Sequence, residues 1–257
     1  MKPEAGPGSP GGSDAGAGAN VRLLRDSGPD TQAATLAAAI AADLSAALVR
    51  RPAASLVVSG GRTPAPMLAQ LATHTLAWSR VQVTLADERW VGLEDAASNE
   101  RLVRATLLQG PAARARLVGM KNDAPSAATG SAAAWAAIGA MPQPFDVVVL
   151  GMGDDGHTAS LFPGSAELAA GLDVTAPPGC LAVQPPAAPH ARLSLNLAAL
   201  LRARRIYVQI SGEGKRRVYE RALEAGPVAQ MPIRAILRQP GVPVEVYWCP
   251  EGPAASR

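Results

Sequence analysis

Residues 145–163 read FDVVVLGMGDDGHTASLFP. The first six, apolar and β-branched but for Asp146, stop abruptly at Gly151, which predicts a strand buried on both faces. Such strands belong to parallel sheets covered by helices on each side. The glycines at 151, 153 and 156 match the spacing Gly-x-Gly-x-x-Gly of a dinucleotide loop. Three features speak against that reading. Asp154 and Asp155 would face a pyrophosphate. Pro163 interrupts the helix that the motif should open. Asp173, near the right distance for a ribose-binding acid, follows an Ala/Gly stretch instead of closing a second strand. What remains is a Gly-rich loop carrying His157 at its tip. Histidine as a residue type titrates near neutrality and suits a general base, although a lone histidine more often just satisfies its loop.

Outward from this segment, strands and helices alternate. Strands are predicted at 55–59, 81–85, 181–184, 192–195, 206–210 and 244–248, besides the one at 145–150. Helices are predicted over 31–50 with Asp30 as N-cap, from Ser98 to about residue 109, and over 131–139, 214–225 and 233–237. The pattern argues for an α/β fold with a largely parallel sheet, and in such sheets ligands bind at the carboxyl ends of the strands.

The polar segments after three further strands are therefore candidate chemistry. Ser59-Gly60-Gly61-Arg62-Thr63-Pro64 runs from strand to helix. It reads equally as a phosphate cradle, with backbone amides and the Thr63 hydroxyl as donors, or as a tight turn. Asp87-Glu88-Arg89 follows the strand at 81–85. Arg89 could clamp a phosphate or an oxyanion and Asp87 could orient a histidine or a sugar hydroxyl, but taken alone the segment reads as a solvated loop. Gly212-Glu213-Gly214-Lys215 is not a P-loop, because the first glycine would fall at Gln209. It still places Lys215 at a helix start, near an anion or simply exposed.

Composition narrows the field. The chain has 257 residues, 48% hydrophobic and 18% charged, enough for a large core and typical of a globular protein. Aromatics at 4% disfavour a base-stacking surface, and a net charge of +3 does not by itself imply nucleic acid. Cys180 and Cys249 form no CxxC pair, so a reducing, cytoplasmic setting is expected. The three histidines, His74, His157 and His190, are scattered, with no metal-ligand spacing, and no Gly-x-Ser-x-Gly elbow occurs. The most apolar stretch, 33–49, is broken by Asp43 and Ser45 and reads as a core helix, not a membrane span. Residues 1–20 are Gly/Pro-rich and lack a signal-peptide core, so a disordered tail is expected there, with 251–257 similar. The basic runs 202–205 and 215–217 read as solvated helix faces, with Lys215 set apart.

Taken together, LVVSGGRTP, LADERWV followed by SNERLVR, the segment at 145–165, and ARLSLNLAALLRARRIYVQISGEGKRRV resemble the glucosamine-6-phosphate isomerase/6-phosphogluconolactonase family, on its lactonase side. The resemblance extends over about residues 55–218. It implies a Rossmann-like three-layer α/β/α sandwich with a small subdomain, one catalytic domain over 21–250. It implies hydrolysis of 6-phospho-D-glucono-1,5-lactone with no metal and no nucleotide cofactor; a monomer acting without nucleic acid or membrane is expected. Carried over by residue, His157 is the implied general base, and Arg89 and Lys215 are the cations for phosphate or oxyanion. Gly60, Gly61 and Thr63 form the implied cradle, Asp87 orients His157 or a hydroxyl, and Asn99 and Arg192 line the pocket. Ser194 stands where a threonine is expected. Deaminases of the family carry Asp-Glu-Tyr where this chain has Asp87-Glu88-Arg89, which favours the lactonase. A non-catalytic sugar-phosphate sensor is the other alternative, and it would have no need of His157.

Overall fold

A computed structural model describes residues 20–250. The expected tails at 1–20 and 251–257 fall outside them, apart from Asn20. In chain order the elements are β1 (Val21–Arg25), α1 (Pro29–Arg50), β2 (Ala54–Val58), α2 (Pro64–Ala72), β3 (Val81–Leu85), β4 (Asp87–Arg89), α3 (Asn99–Thr106) and β5 (Arg116–Leu117). They continue with α4 (Ala127–Gly139), β6 (Val147–Leu150), α5 (Leu168–Leu172), β7 (Cys180–Val183), β8 (Arg192–Leu195) and α6 (Leu197–Leu200). The last are β9 (Ile206–Ser211), α7 (Gly212–Leu223), α8 (Ile233–Leu237) and β10 (Val244–Cys249).

Seven strands form one parallel sheet in the order β1-β10-β9-β6-β2-β3-β5. All five residues of β2 are buried, as its apolar run requires when helices cover both faces. This is the expected three-layer α/β/α sandwich. From β2 the chain steps outward to β3 and β5, then returns to lay β6 on the other side of β2. The strand order thus reverses between β2 and β6, and their carboxyl ends open a crevice there.

Helix α1 is long and apolar enough, by length and composition alone, to cross a bilayer. Here it is a core helix: Ala33, Leu36, Ala37, Ile40, Ala41 and Leu44 form an i, i+3, i+4 stripe buried in the main core. The helix starts at Pro29 behind Gly28, so Asp30 lies inside the first turn and is not the N-cap. Proline at N1 is preset for the helical φ, and Asp30 favours the helix dipole from within the turn. Ser98 caps α3 as expected, its hydroxyl accepting from the Arg101 amide at 3.1 Å.

Two expected strands do not join the parallel sheet. β7 and β8 are antiparallel neighbours in a second, three-stranded sheet, β4-β8-β7. The short link between them permits a hairpin but no parallel crossover. The third member, Asp87–Arg89, is not the solvated loop that its three charges suggest but a strand, with Asp87 and Glu88 buried. Ala86 alone separates it from β3. The Ala86 amide donates to the Val58 carbonyl at 2.8 Å, and its carbonyl accepts from the Leu195 amide at 2.9 Å, joining the two sheets.

Candidate active site

The crevice holds a cavity of about 450 Å³. Its walls come from the carboxyl ends of β2, β6 and β9, from the small sheet and from the start of α3. All nine residues assigned to catalysis, the cradle or the pocket lining above line it: Gly60, Gly61 and Thr63 after β2, Asp87 and Arg89 on β4, Asn99 on α3, His157 after β6, Arg192 on β8 and Lys215 on α7. Four cations, Arg62, Arg89, Arg192 and Lys215, and two carboxylates, Asp87 and Asp154, line the same space.

The histidine loop is closed by its own polar groups. The Gly153 amide donates to the His157 carbonyl at 2.8 Å, and the Thr158 hydroxyl donates to the Gly151 carbonyl at 2.9 Å. Within this ring the Asp155 carboxylate meets the His157 Nδ1 at 2.6 Å and accepts the His157 amide at 3.0 Å. A carboxylate on Nδ1 fixes the proton there and leaves Nε2 as the basic nitrogen. A Cβ at Gly153 would lie 2.1 Å from the His157 Nδ1, so only glycine admits the imidazole at this place. Ala159 adopts φ 47°, a left-handed conformation uncommon for a residue with a side chain. The Phe162 ring packs 4.2 Å from the imidazole, and the Arg192 guanidinium lies 5.8 Å from the same ring.

Asp155 was not among the expected site residues. An aspartate two positions before a histidine, with glycine between, is the signature of a carboxylate folding onto its own following amide. That signal was present in the sequence. Asp87 does not orient His157. Its Oδ2 accepts from the Ser160 hydroxyl at 2.5 Å and faces the Arg192 guanidinium at 3.7 Å. Being on β4, it reaches the far end of the histidine loop and not its tip. Ser194 keeps a hydroxyl in this network, accepting the Ser160 amide at 3.2 Å.

The cations are arranged with unusual costs. Arg89 and Arg192 are directly opposed in the β4–β8 ladder, and like charges in that position destabilise a sheet. Burial pushes the Arg192 guanidinium down, with Arg89 adding to the effect and Asp87 and Glu88 opposing it. Lys215 stands in the first turn of α7, where the helix dipole disfavours a cation. An anion in the cavity would relieve all three. Lys215 pairs with Asp154 at 2.8 Å, and Arg89 donates to the Ala97 carbonyl at 2.5 Å. Arg216, next to Lys215, is no freely solvated cation: it lies 4.9 Å from the Trp248 ring and bonds Glu220 at 2.9 Å. Among the described residues, no group of three or more His, Cys, Asp or Glu is placed to hold a metal ion.

A family model described as glucosamine-6-phosphate isomerases/6-phosphogluconolactonase matches residues 27–248. The chain belongs to this family. A 6-phosphogluconolactonase of Pseudomonas putida is 46% identical over 220 residues, 86% of this chain and 89% of the relative. One from Rhizobium meliloti is 42% identical over 90% of this chain and 99% of its own. The crystal structure of a 6-phosphogluconolactonase from Shewanella baltica superposes with a TM-score of 0.87 at 46% identity, covering 91% of this chain and all of that one. A monomeric glucosamine-6-phosphate deaminase superposes with a TM-score of 0.69 at 18% identity, a likeness of fold alone.

Proposed function

We propose that this chain hydrolyses 6-phospho-D-glucono-1,5-lactone to 6-phospho-D-gluconate, the reaction of the oxidative pentose phosphate pathway, as one catalytic unit over 21–250. The observation that carries the reading is the Asp155–His157 pair at a cavity whose wall sets Arg89 opposite Arg192 and adds Lys215. Relatives above 40% identity named 6-phosphogluconolactonase support it.

Nε2 of His157 takes a proton from water as the water oxygen attacks the lactone carbonyl carbon. The tetrahedral intermediate collapses, the bond from that carbon to the ring oxygen breaks, and the imidazolium returns the proton to the leaving oxygen. Asp155 holds the tautomer and stabilises the imidazolium while the charge lasts. A lactone carbonyl is electrophilic enough that no covalent nucleophile is needed. Arg89, Arg192 and Lys215 carry the phosphate and the developing oxyanion between them, and Gly60, Gly61 and Thr63 offer donors at the start of α2. Asp87 holds Arg192 against this wall. Only two cysteines, Cys180 and Cys249, occur in the 257 residues, which supports a reducing, cytoplasmic setting.

The test is hydrolysis of freshly prepared 6-phosphogluconolactone with the spontaneous rate subtracted, and glucosamine-6-phosphate run in parallel. Acceleration with the lactone alone is expected. Ammonia release from the amino sugar, or silence on both substrates, would overturn the reading.

A further inference from the structure

Glu88 does not line the cavity, yet it is the most completely enclosed carboxylate near it, with no exposed surface. Side chains alternate along a strand. Asp87 and Arg89 therefore face the cavity while Glu88 points the other way, to the N-terminus of α3. There its two oxygens accept four hydrogen bonds. Oε1 takes the amides of Arg89 and Asn99, both at 2.7 Å. Oε2 takes the amide of Glu100 at 2.7 Å and the hydroxyl of Ser98 at 3.0 Å.

We propose that Glu88 is a positioning residue for substrate binding: its buried carboxylate pins the start of α3 to β4 and so fixes Arg89 and Asn99 at the cavity wall. The proposal rests on Arg89 and Asn99 contacting the substrate. The segment 97–100 is gripped twice, by the Glu88 carboxylate on its donors and by the Arg89 guanidinium on the Ala97 carbonyl. Asn99 in turn donates through Nδ2 to the Asp87 carbonyl at 2.9 Å. Its side chain fills the space beside Gly60, where a Cβ would lie 1.9 Å from the Asn99 Oδ1. A displacement of α3 by one ångström thus reaches Arg89, Asn99 and the glycine loop together.

Four donors converge on this group, and only an ionised carboxylate has acceptors on both oxygens. Glutamine has the same shape but turns an NH2 toward two of the donors. The experiment is Glu88→Gln in the wild-type chain and in a background carrying Arg89→Ala and Asn99→Ala, with circular dichroism and thermal unfolding to verify the fold. In the wild-type chain kcat/KM for the lactone is expected to fall about 10- to 100-fold, the scale of a misplaced binding group. In the double-substituted background the same change is expected to cost less than about 3-fold, because residues acting through one another are not additive. An unchanged penalty in that background, or no penalty in the wild-type chain, would overturn the proposal. Wild-type kcat/KM in the Arg89→Ala, Asn99→Ala chain would instead remove the premise that these residues meet substrate. If Glu88→Gln does not fold, Ser98→Ala deletes one donor and is put through the same cycle. A loss confined to the wild-type background supports the proposal, and equal loss in both, or none, sinks it.

Discussion

Asp155 and His157 are two positions apart, and their 2.6 Å contact belongs to one turn of chain. Replacing His157 with alanine is expected to lower kcat by roughly 100-fold or more, since a general base contributes about 10²–10⁴. A near-wild-type rate in a stopped-flow or coupled assay would remove it from the mechanism. The pair also dictates a pH dependence. Burial raises the Asp155 carboxyl, but the hydrogen bonds and charge of His157 outweigh burial and leave it below the ordinary range. A depressed carboxyl contributes stability above its unfolded value, about 3.9, and loses it only as pH falls through the lower folded value. The Asp155–His157 contact is therefore expected to survive down to about pH 4, and Asp155→Asn, which removes the charge that stabilises the imidazolium, should lower kcat. Asp154 behaves oppositely. It is largely exposed and occupies Lys215 from within the chain. Exposed pairs of this kind are worth about 0.2–1 kcal/mol, so Asp154→Asn is expected to lower KM for the lactone by a factor of about 1.4 to 5. A raised KM would mean that Asp154 supports the lysine instead of competing for it.

At the scale of elements, the sequence patterns were most legible where a run was continuous and apolar. β3, β8 and α8 have the boundaries that periodicity predicts, and β2, β6, β9 and β10 differ by a residue or two at an end. β1 and β5 are not legible, because VRLLR sets adjacent leucines between two arginines and RL is too short to show a period. The most instructive case is β4, whose three charged residues argue against a strand. It forms one because each charge has a partner: Asp87 at Ser160, Glu88 at the start of α3, Arg89 at Ala97. Local propensity yields to tertiary partners that no window of sequence contains. Burial lifts the Glu88 carboxyl above the ordinary glutamate range against the hydrogen bonds that hold it down. Asp87 and Arg89 on its own strand, Arg192 on β8 and Glu100 on α3 are the charged groups around it. A raised carboxyl binds its proton more tightly folded than unfolded, so its contribution to stability falls as pH rises through that window and is not lost on acidification. Activity is thus expected to fall on acidification through Glu88 before any loss of stability attributable to this group, which paired activity and thermal-unfolding profiles would reveal. For α1, whose Leu36 has no exposed surface, Leu36→Ala is expected to cost about 2–5 kcal/mol in chemical denaturation.

Across the whole molecule, the location of the site was legible before its wiring. Strand–helix alternation with polar segments after the strands pointed to the carboxyl edge of a parallel sheet, and the cavity is there. The small antiparallel sheet was not foreseen as a separate layer, because residues 180–195 carry the same apolar signal as the strands of the main sheet. The opposed Arg89 and Arg192 and the Asp155–His157 contact emerge only with three-dimensional proximity or with attention to turn chemistry. Four cations around one cavity attract anions from a distance. The kcat/KM for a phosphorylated lactone is accordingly expected to fall as ionic strength rises, more steeply than for the unphosphorylated lactone, and parallel salt dependences would contradict the electrostatic reading of this wall.

β1 pairs with β10, residue for residue from Val21 with Val244 to Arg25 with Trp248. During synthesis β1 must therefore wait until residues 244–249 have left the ribosome before it has its neighbour in the sheet. The crevice between β2 and β6 has its own strands earlier, and β9 and Lys215 reach it once residues 206–215 have followed. A nascent chain of this protein thus carries β1 unmatched while the other strands of the parallel sheet are made, and the sheet closes only when β10 enters between β1 and β9.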